Sequence, residues 1–474
     1  MVNSPPVIKD PITVEKILSF NSTDEGNAEL FCFLFKDKFR YLHEEKEWVC
    51  FDGLRWQTKW QDEAGACCPA SDEAHIALVG VLKDKLALFE EYRKGEVEFQ
   101  KKKNKIMQDQ NLTKVKAGLE MAAKHPGMKF SITQFDTDPF LLGCQNTIID
   151  LKTGRPVSQS QLNNNLVLKS NNLIYDPQAK ASQWGQVLED IFEGDQDTIA
   201  FIKRLFGYTL TGLVREEKLF ILLGEGGCGK STILSVLKRL LGEYHAIAPA
   251  NLFYRGKWDH RLTYQYDLYG KRASVTIEMQ AGRVIDSELT KNITGGDTLK
   301  GECKYKMPIE YLSTAKVFWS MNKIVALDTL DVAITQRLCV IPFNVEFRGT
   351  AKENKQLKDT ILPGELSGIF NWAIEGTLEY QQVGLIPSSK VERKTEEVIE
   401  TCNPVAGFIK AKIKPNPGKR VTFSNVWAAF LLFKSTSGIQ PYMTVNAFSR
   451  EMTKLGYGSE KHGSDVFFDG IELS

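Results

Sequence analysis

The chain has 474 residues, 42% hydrophobic, 25% charged and 10% aromatic, which suits a soluble protein of about two to four domains. Sixty Lys and Arg against 59 Asp and Glu give a net charge of +1, which excludes a globally basic nucleic-acid binder, so any DNA contact must come from local clusters. Nine cysteines without a C-x-x-C pair, a start (MVNSPPVIKDPITVEK) without an apolar core, and no long uncharged apolar run argue against a zinc cage, a signal peptide and a membrane span. The expected setting is cytoplasmic, with reduced thiols and no membrane contact.

Residues 27–60 mix a helical start with short aromatic strands, and Asp52-Gly53 marks a hairpin turn between two of them. From Asp72 to about Lys124 the pattern is helical and charged, dense in lysine at Lys101, Lys102, Lys103 and Lys105. Such a run is more often a solvated face than a track for DNA. TIIDL (147–151) followed by K-T-G predicts another small hairpin, and a helical stretch runs from Trp184 to Tyr208.

Beyond Glu217 the texture changes. LFILL (219–223), ASVTI (273–277), KVFWSM (316–321) and LCVIPF (338–343) are short apolar runs separated by helical stretches, the pattern of a parallel sheet covered on both faces. A helix from Ser231 to Leu241 ends at Gly242, and another spans Leu366 to Gln381, with Pro387 closing the unit. In the last 75 residues Pro404 opens one helix, Ser424 caps a second with Trp427, Phe430 and Leu431 on one face, and Thr444 caps a third. The tail VFFDGIEL predicts a hairpin arm, so this segment has a winged-helix pattern.

The strongest chemical signal is the series Gly224, Glu225, Gly226, Gly227, Cys228, Gly229, Lys230, Ser231, a complete G-x-x-x-x-G-K-S between a strand and a helix, followed by Thr232. Glycines let the backbone curl until its N–H groups converge on phosphate oxygens, and the helix N-terminus adds a positive field. Lys230 neutralises the β- and γ-phosphates of ATP and Ser231 holds Mg²⁺ in this P-loop reading. A GTPase needs N-K-x-D, and Asn322-Lys323-Ile324-Val325 carries valine in place of the aspartate. Glu278, directly after the ASVTI strand, is the candidate to orient Mg²⁺ and polarise the attacking water.

Lys291-Asn-Ile-Thr-Gly-Gly-Asp297, Lys304-Tyr-Lys306, a strand ending in Asn322, and Arg337 ahead of a strand ending Ile341-Pro-Phe343 follow in that order. The series resembles the superfamily 3 (AAA+) helicases, specifically the primase-helicases of phages and large DNA viruses. DGLRW (52–56), TIIDLKTG (147–154), GYTLTG (207–212) and GIFNWAIEGTLEY (368–380) extend the resemblance over most of the chain. It implies an α/β P-loop fold in three parts: a helicase-associated α+β region at 1–213, the ATPase/helicase domain at 214–390, and a winged-helix-like DNA-binding domain at 400–474.

The same resemblance implies roles. Lys230, Glu278, Asn322 and Arg337 would be catalytic, Asn322 as polar sensor and Arg337 as the finger reaching a neighbouring subunit's ATP. Lys218 is a weaker second contact in trans. Lys304 and Lys306, two apart and on one face if in a strand, would grip DNA phosphates, although Glu302 stands where many relatives carry arginine. Arg450 and Lys454 would lie on a recognition helix. The implied protein is an ATP- and Mg²⁺-dependent replicative helicase of a phage, virus or mobile element. It would act in the host cytoplasm as a homo-oligomer, expected to be a hexamer, on single-stranded and forked DNA. The residues ahead of Gly224 hold no paired-carboxylate polymerase site, so a primase or polymerase is expected as a separate partner, or the chain is a fragment of a longer protein. Two rivals stay open: a translocase on duplex DNA, and an origin-binding initiator switched by ATP.

Overall fold

The computed structural model describes residues 11–61, 67–162, 165–254, 260–277, 285–322, 332–354, 356–357, 362–402, 404–436, 443–463 and 465–473. They form two compact units, one of residues 1–150, 155–174 and 302–309, the other of 151–154, 175–301 and 310–474.

In the first unit, helices Asp24–Phe35, Ala70–Tyr92 and Leu112–Ala122 enclose a core built on Phe31, Phe35, Phe39, Trp48 and Leu78. The predicted hairpin is present: Phe51 pairs with Trp56, and Asp52 Oδ1 accepts from the N–H groups of Leu54 and Arg55, both at 2.8 Å. That local bond is why aspartate suits the turn. The hairpin after TIIDL is present too, with Asp150 opposite Arg155. The charged stretch from Asp72 is helical as expected, in three helices, with Phe99–Asp109 set off by breaks on both sides.

The second unit is organised by a parallel five-stranded sheet. Its strands are β1 (Leu219–Leu223), β2 (His245–Ile247), β3 (Ala273–Ile277), β4 (Lys316–Met321) and β5 (Leu338–Pro342), in the order β2-β3-β4-β1-β5. All six residues of β4 are buried, as expected of a central strand covered on both faces. Four strands fall where the apolar runs predict them, and β2 is an addition. The stretch from Trp184 to Tyr208 is two helices, α1 (Ser182–Phe192) and α2 (Gln196–Leu210), parted at Glu193 and Gly194, both with positive φ. Asp195 caps the second, accepting from Thr198 Oγ1 at 2.9 Å.

Two buried cations explain how α2 ends. Arg272 donates to the carbonyl of Leu210, and Lys316 to those of Thr211 and Thr314. At Leu210 and Thr211 they satisfy carbonyls that the end of the helix leaves open. Burial, reinforced by the charge of Arg272, pushes the pKa of Lys316 well below the usual lysine value.

Glycine loop aside, the rest of this unit departs from the sequence expectation at three points. Pro387 does not close it: a helix, Ser389–Cys402, follows, and its Thr395 Oγ1 accepts from the N–H of Val340 at 2.9 Å, covering the edge strand β5. The second helix of the C-terminal segment is Phe423–Thr436, so Ser424 lies inside it. Thr422 Oγ1 instead accepts from the N–H of Asn425 at 3.3 Å. Leu431 is 46% exposed and lies off the buried face that Phe430 occupies. Helix Pro404–Lys412 starts at its proline, and Val445–Lys454 is capped by Thr444, whose hydroxyl accepts from the N–H of Ala447. The predicted arm is the pair Ser459–His462 and Asp465–Leu473, joined by a third strand, Ile413–Thr422, around a core of Phe408, Phe430, Phe448 and Phe468.

Candidate active site

The glycine-rich loop joins β1 to α3 (Lys230–Leu241), at the carboxyl edge of the parallel sheet, where sheets of this kind bind ligands. Two glycines are required by the geometry. A Cβ on Gly224 would stand 2.2 Å from the carbonyl oxygen of Phe343, and Gly229 has φ +95° with Ile191 of α1 packed against it. A side chain at either position would push the loop off β5 or off α1. Ser231 is exposed in the first turn of α3 and Thr232 is half-buried behind it.

Lys230 is only 7% exposed. Its ammonium donates to the carbonyl oxygens of Gly224 and Glu225, the latter at 2.8 Å, and to Asn322 Oδ1 at 3.2 Å. Cys228 Sγ lies 3.3 Å from the same nitrogen and itself bonds the carbonyl of Glu225. Asn322 follows β4, the neighbour of β1 in register Leu223 to Met321. Two residues 92 positions apart in sequence thus meet at one ammonium group. Glu278 lies outside the described residues, and β3 ends at Ile277 immediately before it.

Arg337 and Lys218 come together at the opposite edge of the sheet. The N–H of Leu219 bonds the carbonyl of Arg337, Lys218 Nζ donates to the carbonyl of Gln336 at 2.6 Å, and Arg337 Nη2 pairs with Glu217 at 2.6 Å. The five residues of β1 separate Lys218 from Gly224, six steps of about 3.3 Å or roughly 20 Å. Neither cation can reach the loop of its own chain.

Strands Thr298–Gly301 and Ile309–Leu312 form a two-stranded ribbon, with Lys300 paired to Glu310 at 2.8 Å. Lys304 and Lys306 do not share a strand face as expected. Both lie in the connection, where Tyr305 takes the left-handed backbone conformation (φ +68°) and breaks the alternation. Lys306 is ion-paired with Glu45, whereas Lys304 is exposed without an ion-pair partner among the described residues. Sequence reasoning passed over Tyr305 itself, which is 92% exposed at the tip. Its signal was an aromatic between two lysines.

Arg450 and Lys454 are exposed one turn apart on Val445–Lys454, with Lys454 3.4 Å from Glu451. Of the lysine run, Lys101, Lys102 and Lys103 are each paired with a glutamate (Glu98, Glu96 and Glu90), which favours the solvated face.

The comparisons with known proteins bear on both units. Residues 28–193 match the family described as D5 N terminal like, and residues 222–337 match a family of unknown function, DUF5906. Over 301 residues the chain is 25% identical to "Putative helicase L207/L206" of Acanthamoeba polyphaga mimivirus, covering 59% of this chain and 31% of that protein. The chain therefore spans about a third of that curated relative. Among solved structures, the apo C-terminal region of NrS-1 (305–718) is 14% identical with a TM-score of 0.41 over 63% of this chain and 77% of that one. An A form of the same region is 15% identical with a TM-score of 0.44, over 76% and 88%. The D5-type match and the viral relative support a likeness to viral helicases. No helix among the described residues is long and apolar enough to cross a membrane.

Proposed function

We propose that this chain is the motor of an ATP-driven DNA helicase of the superfamily 3 (AAA+) type, serving replication of a phage, virus or mobile element. The observation that carries the reading is the meeting of Lys230 and Asn322 at the carboxyl edge of the sheet, beside a loop with no room for a side chain at Gly224, Gly227 or Gly229. A P-loop lysine beside a polar residue at the end of the adjacent central strand suits ATP hydrolysis: one cation for the phosphates and one amide to orient water. The strand order β2-β3-β4-β1-β5 accords with an AAA+ core.

In this reading Gly224 to Thr232 cradle the phosphates, Ser231 and Glu278 hold Mg²⁺, and Glu278 polarises the attacking water. Bound by those residues, Mg²⁺ would supply positive charge to offset that of the phosphates. Arg337 and Lys218, remote from their own loop, serve the nucleotide of a neighbouring subunit, so the working form is a ring, expected to be a hexamer. Host cytoplasm, and a primase or polymerase carried separately, fit such a motor.

Lys304, Tyr305 and Lys306 are proposed to engage single-stranded DNA, two cations for phosphates and one ring for a base. Replacing both lysines with alanine is expected to spare basal ATPase, abolish unwinding, and flatten the salt dependence of binding by roughly 0.7 per lost phosphate contact. Lys304→Ala alone should matter more than Lys306→Ala, because Glu45 already holds Lys306. Tyr305→Ala should weaken binding by about 1–3 kcal/mol if the ring stacks on a base. Anisotropy titrations across a salt series measure all three, and a double-lysine variant that unwinds normally would move the grip elsewhere.

A second reading, an initiator that binds origin DNA, draws on the C-terminal segment. Its three helices and three-stranded sheet suit a winged helix, with exposed Arg450 and Lys454 on the third helix. Changing both to alanine should weaken duplex binding without altering fork unwinding if recognition and motor functions are separate.

A further inference from the structure

After β5 the chain folds back over the glycine loop. The N–H of Phe347 donates to the carbonyl of Gly227 at 3.0 Å, which sets the next residue, Arg348, directly against the loop. A Cβ on Gly227 would stand 2.8 Å from Arg348 Cβ and 3.6 Å from its Nε, and a Cβ on Gly226 would stand 3.9 Å from its Nη1. The side chain therefore runs along the Gly226–Gly227 backbone, and the absence of a side chain at Gly227 is what admits it. Arg348 is exposed, and among the described residues its guanidinium has no hydrogen-bond or ion-pair partner. Lys230 of the loop is engaged by loop carbonyls and Asn322, and Lys352, four residues beyond Arg348, by Asp190 at 2.9 Å.

We propose that Arg348 binds the terminal phosphate of the nucleotide held by its own chain, and so makes the site selective for a nucleoside triphosphate over the diphosphate. The inference rests on the ATP reading above and adds a residue that reading does not use. A guanidinium is planar and always charged, and it offers two parallel N–H donors that match two phosphate oxygens. Lys230 is a compact point charge anchored at the base of the loop, so it cannot supply that bidentate contact. Arg348 comes from a different segment, lies over the middle of the loop, and adds a donor pair at no cost in broken ion pairs.

The bland account is that the aliphatic stem of Arg348 merely packs on the glycines. Arg348→Met separates the two, because it keeps an unbranched stem and removes the charge. Binding of ATPγS and of ADP, each with Mg²⁺, is measured by calorimetry on the full chain. The expected result is a loss of roughly 10- to 100-fold in ATPγS affinity, the scale of hydrogen bonds to a charged group. ADP affinity should stay within about twofold, and Arg348→Lys should recover part of the loss. Equal losses for both nucleotides, or no loss for either, would overturn the assignment. A wild-type chain that binds neither nucleotide, while Arg348→Met leaves its thermal unfolding unchanged, would overturn the ATP reading and this assignment together.

Discussion

Lys230→Ala is expected to abolish nucleotide binding and ATP turnover. The side chain is buried, and its ammonium is the shared partner of two loop carbonyls and the Asn322 amide oxygen. Truncation removes the cation from a site where little water can replace it, and leaves those acceptors facing each other. Removing one preorganised donor from an active site commonly costs about 10²–10³ in turnover, and the unsatisfied acceptors add about 1–3 kcal/mol of local instability. Steady-state ATPase together with thermal unfolding measures both effects. Turnover within tenfold of the parent would remove Lys230 from the chemistry, and a folded protein that cannot bind nucleotide is the predicted outcome.

Arg337→Ala is expected to lower turnover by roughly 10³–10⁵, the range for an arginine that stabilises a transferring phosphoryl group. Nucleotide affinity should be nearly unchanged, because this arginine stands at the far edge of the sheet from its own loop. Its ion pair with Glu217 joins a mostly buried guanidinium to a half-exposed carboxylate. The half-exposed carboxylate leaves that side of the pair screened by water, which weakens what a neighbour's phosphate must replace. Mixing Arg337→Ala with Glu278→Gln subunits should restore part of the activity, since some interfaces then carry both groups. A monomer that turns over ATP at the full rate would contradict the arrangement in trans.

How much of this could be read from sequence depended on burial. Strands β1, β3, β4 and β5 are buried along most of their length and largely apolar, so they stand out as runs. The edge strand β2 is three residues, none of them buried, and leaves no such trace. Helix Ser389–Cys402 was missed because its described buried residues are chiefly Val391 and Val398, seven apart in a charged stretch. The glycine loop was legible as a motif, since backbone geometry demands Gly224 and Gly229 and the chemistry of phosphate binding demands the lysine and serine that follow. Contacts made by loops were not. Alternation cannot anticipate the left-handed Tyr305 that separates Lys304 from Lys306, and no periodicity marks Arg348, placed by a single backbone bond to Gly227.

The most direct test of a helicase motor is strand separation on a forked DNA, with ATP, by the parent chain and by Lys230→Ala. The account predicts that the parent separates the fork only when ATP is hydrolysed, that Lys230→Ala does not, and that a blunt duplex is a poor substrate. Hydrolysis of ATP with no strand separation, accompanied by displacement of a bound protein from blunt duplex, would contradict it and favour a duplex translocase.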